Sequence, residues 1–147
     1  MLTPQTLGLY IHIPFCRQKC LYCDFASFPK EISKAESYFA CLYREIKGRG
    51  MQLKDKVFDT VYIGGGTPSI VDADLIVGTL RQIRNCFNLT KDAEITIEIN
   101  PGTITEEKVK KYNYVLGDFT WTAFDNMGEV GGGAGAWFRD KTIGGLY

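Results

Sequence analysis

Three short apolar runs alternate with three segments of helical periodicity, and this alternation limits the fold more than any other feature of the chain. The runs, which predict strands, are residues 7–13 (LGLYIHI), 58–63 (FDTVYI) and 94–99 (EITIEI). The helical segments span residues 34–47, residues 72 or 74 to about 85, and residues 106–111. Strands that alternate with helices indicate parallel strands joined by right-handed crossovers. We therefore expect an α/β fold built on a parallel sheet.

The boundaries of the first helix are indicated by the residues that flank it. Ser33 belongs to the residue types that commonly cap a helix N-terminus. Gly48 and Gly50 follow Ile46, the last apolar position of the helical pattern, and glycine commonly ends a helix. The sequence therefore predicts that this helix ends near residue 47.

Composition excludes two classes of protein. The 147 residues fit one domain, since domains average about 150 residues. The chain carries 17 Lys and Arg against 17 Asp and Glu, and this lack of a basic excess argues against a nucleic-acid partner. No stretch approaches the ~18 consecutive apolar residues of a membrane span, so an integral membrane protein is not expected. The first residues do not resemble a secretory signal, and we expect a cytoplasmic protein.

Three of the five cysteines, Cys16, Cys20 and Cys23, fall within eight residues in a C-x3-C-x2-C pattern. In a reducing compartment such a cluster indicates metal or redox chemistry rather than disulfides. Three thiolates on one loop could hold three irons of a [4Fe–4S] cluster and leave the fourth iron open to a small molecule. The alternative is zinc, with His12 as a fourth ligand, because structural zinc sites usually have four ligands.

Two further features lie where predicted strands end. Residues 64–66 are three consecutive glycines, which let the backbone approach a ligand without interference from Cβ atoms. Glu98 lies at the carboxyl end of the third strand, the edge at which parallel sheets bind ligands. A carboxylate there could accept a hydrogen bond from a ribose hydroxyl or an ammonium group.

Three ordered motifs carry a family resemblance. Residues 10–16 (YIHIPFC), which run into residues 20–25 (CLYCDF), resemble the radical S-adenosylmethionine (SAM) enzymes, and among them the oxygen-independent coproporphyrinogen III oxidase family. Residues 64–68 (GGGTP) and 98–101 (EINP) resemble further motifs of that family. The resemblance covers about residues 7–112. It implies a partial (β/α) barrel with about three of the family's six βα units.

The resemblance also implies cofactors and their ligands. Cys16, Cys20 and Cys23 would hold a [4Fe–4S] cluster. The residues matching family positions that contact SAM are Tyr10, the backbone at Tyr22, Gly65, Gly66, Thr67 and Glu98. An electron from the cluster, supplied by a donor such as flavodoxin or ferredoxin, would cleave SAM to methionine and a 5′-deoxyadenosyl radical. No catalytic residue of the protein is implied beyond these cofactor contacts.

One residue distinguishes branches of the family. The coproporphyrinogen oxidases have a further cysteine two residues beyond the third, whereas this chain has Phe25 there. The resulting CDF sequence resembles the haem chaperone branch (HemW), which implies haem or a porphyrin as the bound small molecule. Two alternatives are an oxygen-independent coproporphyrinogen III oxidase, which decarboxylates its substrate oxidatively, and a metal-binding module without catalysis.

The composition changes after Tyr112, which predicts a boundary between residues 1–112 and 113–147. The second part has 8 of the 16 glycines and both tryptophans, and it begins with a β-rich run at residues 114–124, so we expect a β-rich, irregular tail. Residues 116–122 and 125–129 resemble a segment of the catalytic barrel of family 2 glycoside hydrolases, without that family's catalytic carboxylates. We therefore expect a truncated radical SAM half-domain joined to an unrelated tail, with a weakly stable half barrel. Its inward side chains, expected to be partly wet, are Tyr10, His12, Val61, Ile63 and Ile97 or their neighbours.

Overall fold

A computed structural model of the protein describes residues 6–112 and 117–120. In chain order its elements are β1 (Leu7–Ile13), β2 (Phe15–Cys16), β3 (Phe28–Pro29), α1 (Ala35–Gln52), β4 (Val57–Gly65), α2 (Ala73–Cys86), β5 (Asn88–Ile99), α3 (Glu106–Lys111) and β6 (Gly117–Thr120). Short 3-10 turns lie at Ile32–Lys34, Pro68–Ile70 and Pro101–Thr103. Within the described residues, no helix has both the length and the apolar character needed to cross a membrane.

The main sheet is parallel and has the strand order β1-β4-β5-β6. Helices connect its strands, so the predicted α/β fold with a partial barrel is confirmed. The strand β6 pairs with the end of β5, from Thr96 opposite Gly117 to Ile99 opposite Thr120. This fourth strand lies within the β-rich run of residues 114–124 that the sequence predicts after the third helix. Apart from β6, the predicted tail lies outside the described residues, and the domain boundary after residue 112 stays a prediction.

The hydrophobic core lies between the sheet and the helices. Isoleucines of the strands, among them Ile13, Ile63 and Ile97, are fully buried together with Phe39 of α1 and Ile76 of α2. Successive side chains of a strand point to opposite faces, so the intervening residues occupy the other face of the sheet.

That second face is polar and aromatic. It carries Tyr10, Tyr62 and Glu98, and Tyr10 is 56% exposed. The expectation that Val61, Ile63 and Ile97 would be partly exposed to water is therefore wrong. These side chains point toward the helices rather than into the barrel.

The first helix continues past its predicted end. Gly48 and Gly50 lie inside α1, which extends to Gln52. The crossing of α1 over α2 explains the second glycine, since a Cβ on Gly50 would lie 2.5 Å from the carbonyl oxygen of Cys86. Ser33 is not the N-cap either, because it lies in the 3-10 turn that precedes the helix.

This crossing yields a stability prediction with a matched control in the same helix. Gly48→Ala should raise the free energy of unfolding by about 0.4–1 kcal/mol, because no atom lies within 4 Å of the added Cβ and alanine restricts the unfolded chain. Gly50→Ala should lower it by about 1–3 kcal/mol, because the methyl group overlaps backbone atoms of α2. Urea unfolding of the two variants measures the difference. Equal effects would show that the two helices do not cross closely at Gly50.

Candidate functional site

The cysteine loop is closed at its base by a short parallel ladder between β2 and β3. The amide of Phe28 donates to the carbonyl of Pro14 (2.6 Å), and the amide of Lys30 donates to the carbonyl of Cys16 (3.0 Å). Lys30 has a φ of 64°, a left-handed conformation in which the chain turns out of β3 toward α1. The loop that carries Cys20 and Cys23 therefore begins and ends at a fixed place beside the carboxyl end of β1.

His12 ties this loop to β1. Its Nε2 lies 2.7 Å from the carbonyl oxygen of Ala26, which can only accept a hydrogen bond. In the neutral ring Nε2 therefore donates, and Nδ1 accepts from the hydroxyl of Tyr10 at 3.2 Å. Both ring nitrogens have protein partners, and this arrangement argues against His12 as the fourth ligand of a zinc ion.

The three loop cysteines line one open cavity of about 880 Å³ at the carboxyl ends of the strands. Cys16 and Cys23 are half-buried and Cys20 is exposed. The hydroxyl of Thr67 donates to the Sγ of Cys16 at 3.7 Å. Across residues 6–112 and 117–120, no three Cys, His, Asp or Glu side chains are gathered closely enough to hold a metal ion. The thiols thus share a cavity, and the exposed part of the loop carries Cys20.

Eight of the nine predicted site residues line this same cavity. They are Cys16, Cys20, Tyr22, Cys23, Gly65, Gly66, Thr67 and Glu98. The ninth, Tyr10, is not among the lining residues, and its ring stacks on that of Tyr62 with centroids 6.0 Å apart and planes inclined by 21°. The fold therefore brings together segments that are more than 80 residues apart in the sequence.

Each glycine of the 64–66 run has a packing role. A Cβ on Gly64 would lie 2.9 Å from the carboxyl carbon of Glu98, and one on Gly65 would lie 2.6 Å from the ring of His12. A Cβ on Gly66 would lie 2.6 Å from the carbonyl oxygen of Phe15 and 2.9 Å from the Sγ of Cys16. The run thus lets β4 end directly against the cysteine loop and Glu98. The three glycines alone predict either ligand contact or a plain turn between strand and helix, and this packing is a third reason for them.

The carboxylate of Glu98 is held on both sides. Its Oε1 accepts from the hydroxyl of Tyr62 at 2.9 Å, and its Oε2 accepts from the amide of Gly65 at 2.9 Å. Tyr62 was not among the predicted site residues. Its position offers a weak signal, since it alternates with the buried Val61 and Ile63 and so belongs to the polar face with Glu98.

The two tyrosines near Glu98, Tyr10 and Tyr62, have raised pKa values. Burial, and then the hydrogen bond to Glu98, raises the pKa of Tyr62 well above the ordinary value of about 10. Burial, and then the charge of Glu98, raises the pKa of Tyr10 as well. At neutral pH both phenols keep their protons, so each can donate a hydrogen bond.

These pKa values predict how stability depends on pH. The folded chain holds the phenolic proton of Tyr62 more tightly than the unfolded chain, so this contribution is complete below pH ~10 and is lost as the pH rises above that value. The free energy of unfolding should therefore fall above pH ~10, and it should fall less steeply in Tyr62→Phe. Denaturant unfolding of the wild type and the variant across this range measures the slopes. Equal slopes would contradict the assignment.

Comparison with known proteins places these features in a family. Residues 10–115 match the sequence model of the Radical SAM superfamily. The heme chaperone HemW of Haemophilus influenzae is 39% identical over 111 residues, which cover 72% of this chain and 29% of the relative. The heme chaperone HemW of Escherichia coli is 38% identical over 107 residues, which cover 72% of this chain and 28% of the relative.

A solved structure agrees with these relatives. The coproporphyrinogen III oxidase HemN of Escherichia coli, a radical SAM enzyme, has a TM-score of 0.74 and 28% identity to this chain, with 80% of this chain and 28% of that chain covered. The chain thus spans less than a third of the length of the curated relatives it matches. The resemblance inferred from the three motifs is confirmed, whereas the resemblance of the tail to glycoside hydrolases stays a prediction.

Proposed function

The chain belongs to the radical SAM superfamily, and on this premise we propose that Cys16, Cys20 and Cys23 bind a [4Fe–4S] cluster and that SAM occupies the adjoining cavity. Membership of the family implies both cofactors. The observation that carries the assignment of residues is the single cavity lined by all three thiols, the glycine segment and Glu98. Thiolates are the ligands that iron–sulfur clusters use, so the donor set fits the group.

The chain's own groups are suited to hold SAM. The amides of Gly65 and Gly66 already donate to Glu98 and to Ile13. Their carbonyl groups, the backbone at Tyr22 and the hydroxyl of Thr67 are therefore the groups that the chain offers to the amino and carboxylate ends of the cofactor. An ionised carboxylate has about four lone-pair positions, so Glu98 can accept from a ligand in addition to Tyr62 and Gly65. When bound, the cluster would supply the electron that cleaves SAM, while the protein orients the cofactor and excludes water.

We propose haem or a porphyrin as the molecule that the protein handles. The support is the similarity to heme chaperones and the presence of Phe25, which lines the cavity, where the oxidase branch has a further cysteine. The second candidate is oxidative decarboxylation of coproporphyrinogen III, which the likeness to HemN favours.

A flavodoxin or ferredoxin as electron donor and a cytoplasmic location also belong to the proposal. Free thiols in the described residues are compatible with a reducing compartment.

Anaerobic reconstitution of the 147-residue chain with iron and sulfide tests the cofactor assignment. We expect about four irons and about four sulfides per chain, the composition of a [4Fe–4S] cluster. SAM should then change the electron paramagnetic resonance spectrum of the reduced cluster, because its amino and carboxylate groups occupy the open iron. A chain that instead takes up one zinc ion and no sulfide would overturn the proposal in favour of a metal-binding module.

Two further assays separate the candidate functions. Titration with haem should give a saturable absorption change if the protein is a haem chaperone. Incubation with coproporphyrinogen III, SAM and a reductant should release carbon dioxide if it is an oxidase. Release of carbon dioxide without saturable haem binding would reverse the order of the two candidates.

A further inference from the structure

A fully buried serine, Ser69, lies three residues after the glycine segment 64–66. Ser69 belongs to the 3-10 turn Pro68–Ile70, and its exposed fraction is 0%. It is two residues beyond Thr67, which lines the cavity, and it follows the last residue of the GGGTP sequence. Burying a hydroxyl is costly unless it is hydrogen-bonded, so its partners indicate what it does.

The partners of Ser69 lie in the segment that follows Glu98. Its Oγ accepts from the amide of Asn100 at 3.0 Å and lies 2.5 Å from the Oγ1 of Thr103. The hydroxyl of Thr103 donates its proton to the carbonyl of Asn100 at 2.8 Å, so Ser69 is the donor in the contact with Thr103. One hydroxyl thereby satisfies groups on two residues of the neighbouring strand end.

Lys108 reinforces the same junction from α3. Its Nζ donates to the carbonyl of Ser69 at 2.7 Å and to the carbonyl of Thr103 at 3.3 Å. The turn after β4 and the turn after β5 are therefore joined both through the Ser69 side chain and through its backbone.

We propose that Ser69 is a positioning residue that fixes the glycine segment relative to Glu98 and thereby sets the affinity for SAM. This inference rests on the proposed function. Ser69 is not part of the cavity lining, so it acts through Thr67 on one side and through Asn100 and Glu98 on the other. Removing its hydroxyl leaves the Asn100 amide and the Thr103 hydroxyl without this partner, and the two strand ends are then held less rigidly.

The test compares two fully buried hydroxyl groups, of which that of Ser69 joins the two strand ends and that of Thr79 does not. Thr79 is also 0% exposed, and its hydroxyl donates to the carbonyl of Leu75 within α2. Ser69→Ala should weaken SAM binding to the reconstituted chain by ~10-fold or more. Losses of this size are typical when a residue that orients a metal ligand is mutated. Thr79→Val should reduce thermal stability to a similar degree and leave the SAM dissociation constant unchanged. Iron content should be normal in both variants.

Wild-type SAM affinity in Ser69→Ala would overturn the inference, as would equal weakening in Ser69→Ala and Thr79→Val. If Ser69→Ala does not fold, the pair Thr103→Val and Thr103→Ser decides. The valine variant should bind SAM weakly, because it can no longer accept from Ser69 or donate to Asn100. The serine variant keeps the hydroxyl and should bind normally. Normal binding by both would also contradict the inference.

Amide hydrogen exchange of the cluster-free chain separates this inference from the proposed function. In Ser69→Ala the amides of Asn100 and Thr67 should exchange faster, and in Thr79→Val they should not change. If the wild type binds no SAM, the proposed function fails. The exchange rates then still decide whether Ser69 holds the two strand ends together, and unchanged rates in Ser69→Ala would show that it does not.

Discussion

Cys20→Ala should abolish cluster binding, whereas Cys41→Ala should leave it intact. Both cysteines are exposed, so neither substitution is expected to change the free energy of unfolding by more than about 0.5 kcal/mol. Only Cys20 lines the cavity beside Cys16 and Cys23. Cys41 lies in α1, where its Sγ accepts from the guanidinium of Arg44 at 3.1 Å. The comparison therefore isolates the position of the thiol from the general effect of losing a cysteine.

The measurement is the iron and sulfide content after anaerobic reconstitution, together with the visible absorption of the cluster. We expect wild-type content in Cys41→Ala and nearly none in Cys20→Ala, because a cluster with one of its three protein ligands removed is open on two irons. Thermal unfolding of the metal-free chains should be alike and serves as the control for folding. A cluster retained in Cys20→Ala and lost in Cys41→Ala would show that the ligand assignment is wrong.

Local patterns account for the parts of the fold that the sequence predicts well. The bounds of β1 and α3 agree with the predicted segments. The β-rich run of β1 is stopped by Pro14, and α3 follows Thr105, whose side chain accepts from the amide of Lys108. Of the two predicted starts of α2, Asp72 is the N-cap, with its side chain accepting from the amide of Asp74. These signals act over a few residues and need no knowledge of the rest of the molecule.

Tertiary pairing accounts for the parts that the sequence does not predict. Four of the six residues in the first half of β5 are of types depleted in strands, namely Asn88, Lys91, Asp92 and Ala93. This half is nonetheless a strand, since Asn88 and Leu89 pair with Val57 and Phe58 of β4. The interior glycines of α1 have the same kind of explanation, because the contact with Cys86 lies 36 residues from Gly50 along the chain.

The candidate site likewise contains residues that local patterns predict and residues whose roles depend on tertiary contacts. The residues proposed to bind the cofactors lie within sequence motifs of the family, so the sequence alone identifies them. Tyr62 and Ser69 lie outside these motifs. A tyrosine in a strand resembles an ordinary core residue, and a serine after a proline resembles an ordinary turn residue. Their roles depend on contacts with Glu98 and Asn100, which are more than 30 residues away in the sequence.

Gly65→Ala should both destabilise the fold and remove SAM binding. Gly65 has a φ of 122°, a conformation that residues with a Cβ rarely adopt. The added Cβ would also lie 2.6 Å from two atoms of the His12 ring, which is itself held by Tyr10 and Ala26. Backbone strain and overlap each cost about 1–3 kcal/mol, so we expect the free energy of unfolding to fall by about 2–6 kcal/mol.

The loss of SAM binding follows from what the Gly65 backbone holds. Its amide donates to the Oε2 of Glu98, and its neighbour Gly66 donates to the carbonyl of Ile13 at 2.8 Å. Displacement of this segment therefore moves Glu98 and the base of the cysteine loop together.

Gly102→Ala is the matched control, because its Cβ would make only an ordinary 3.4 Å contact with the Asn100 side chain near the same cavity. Urea unfolding and SAM titration should show Gly102→Ala near the wild type and Gly65→Ala impaired in both. Comparable stability and SAM affinity in the two variants would show that the strained glycine does not hold the site in shape.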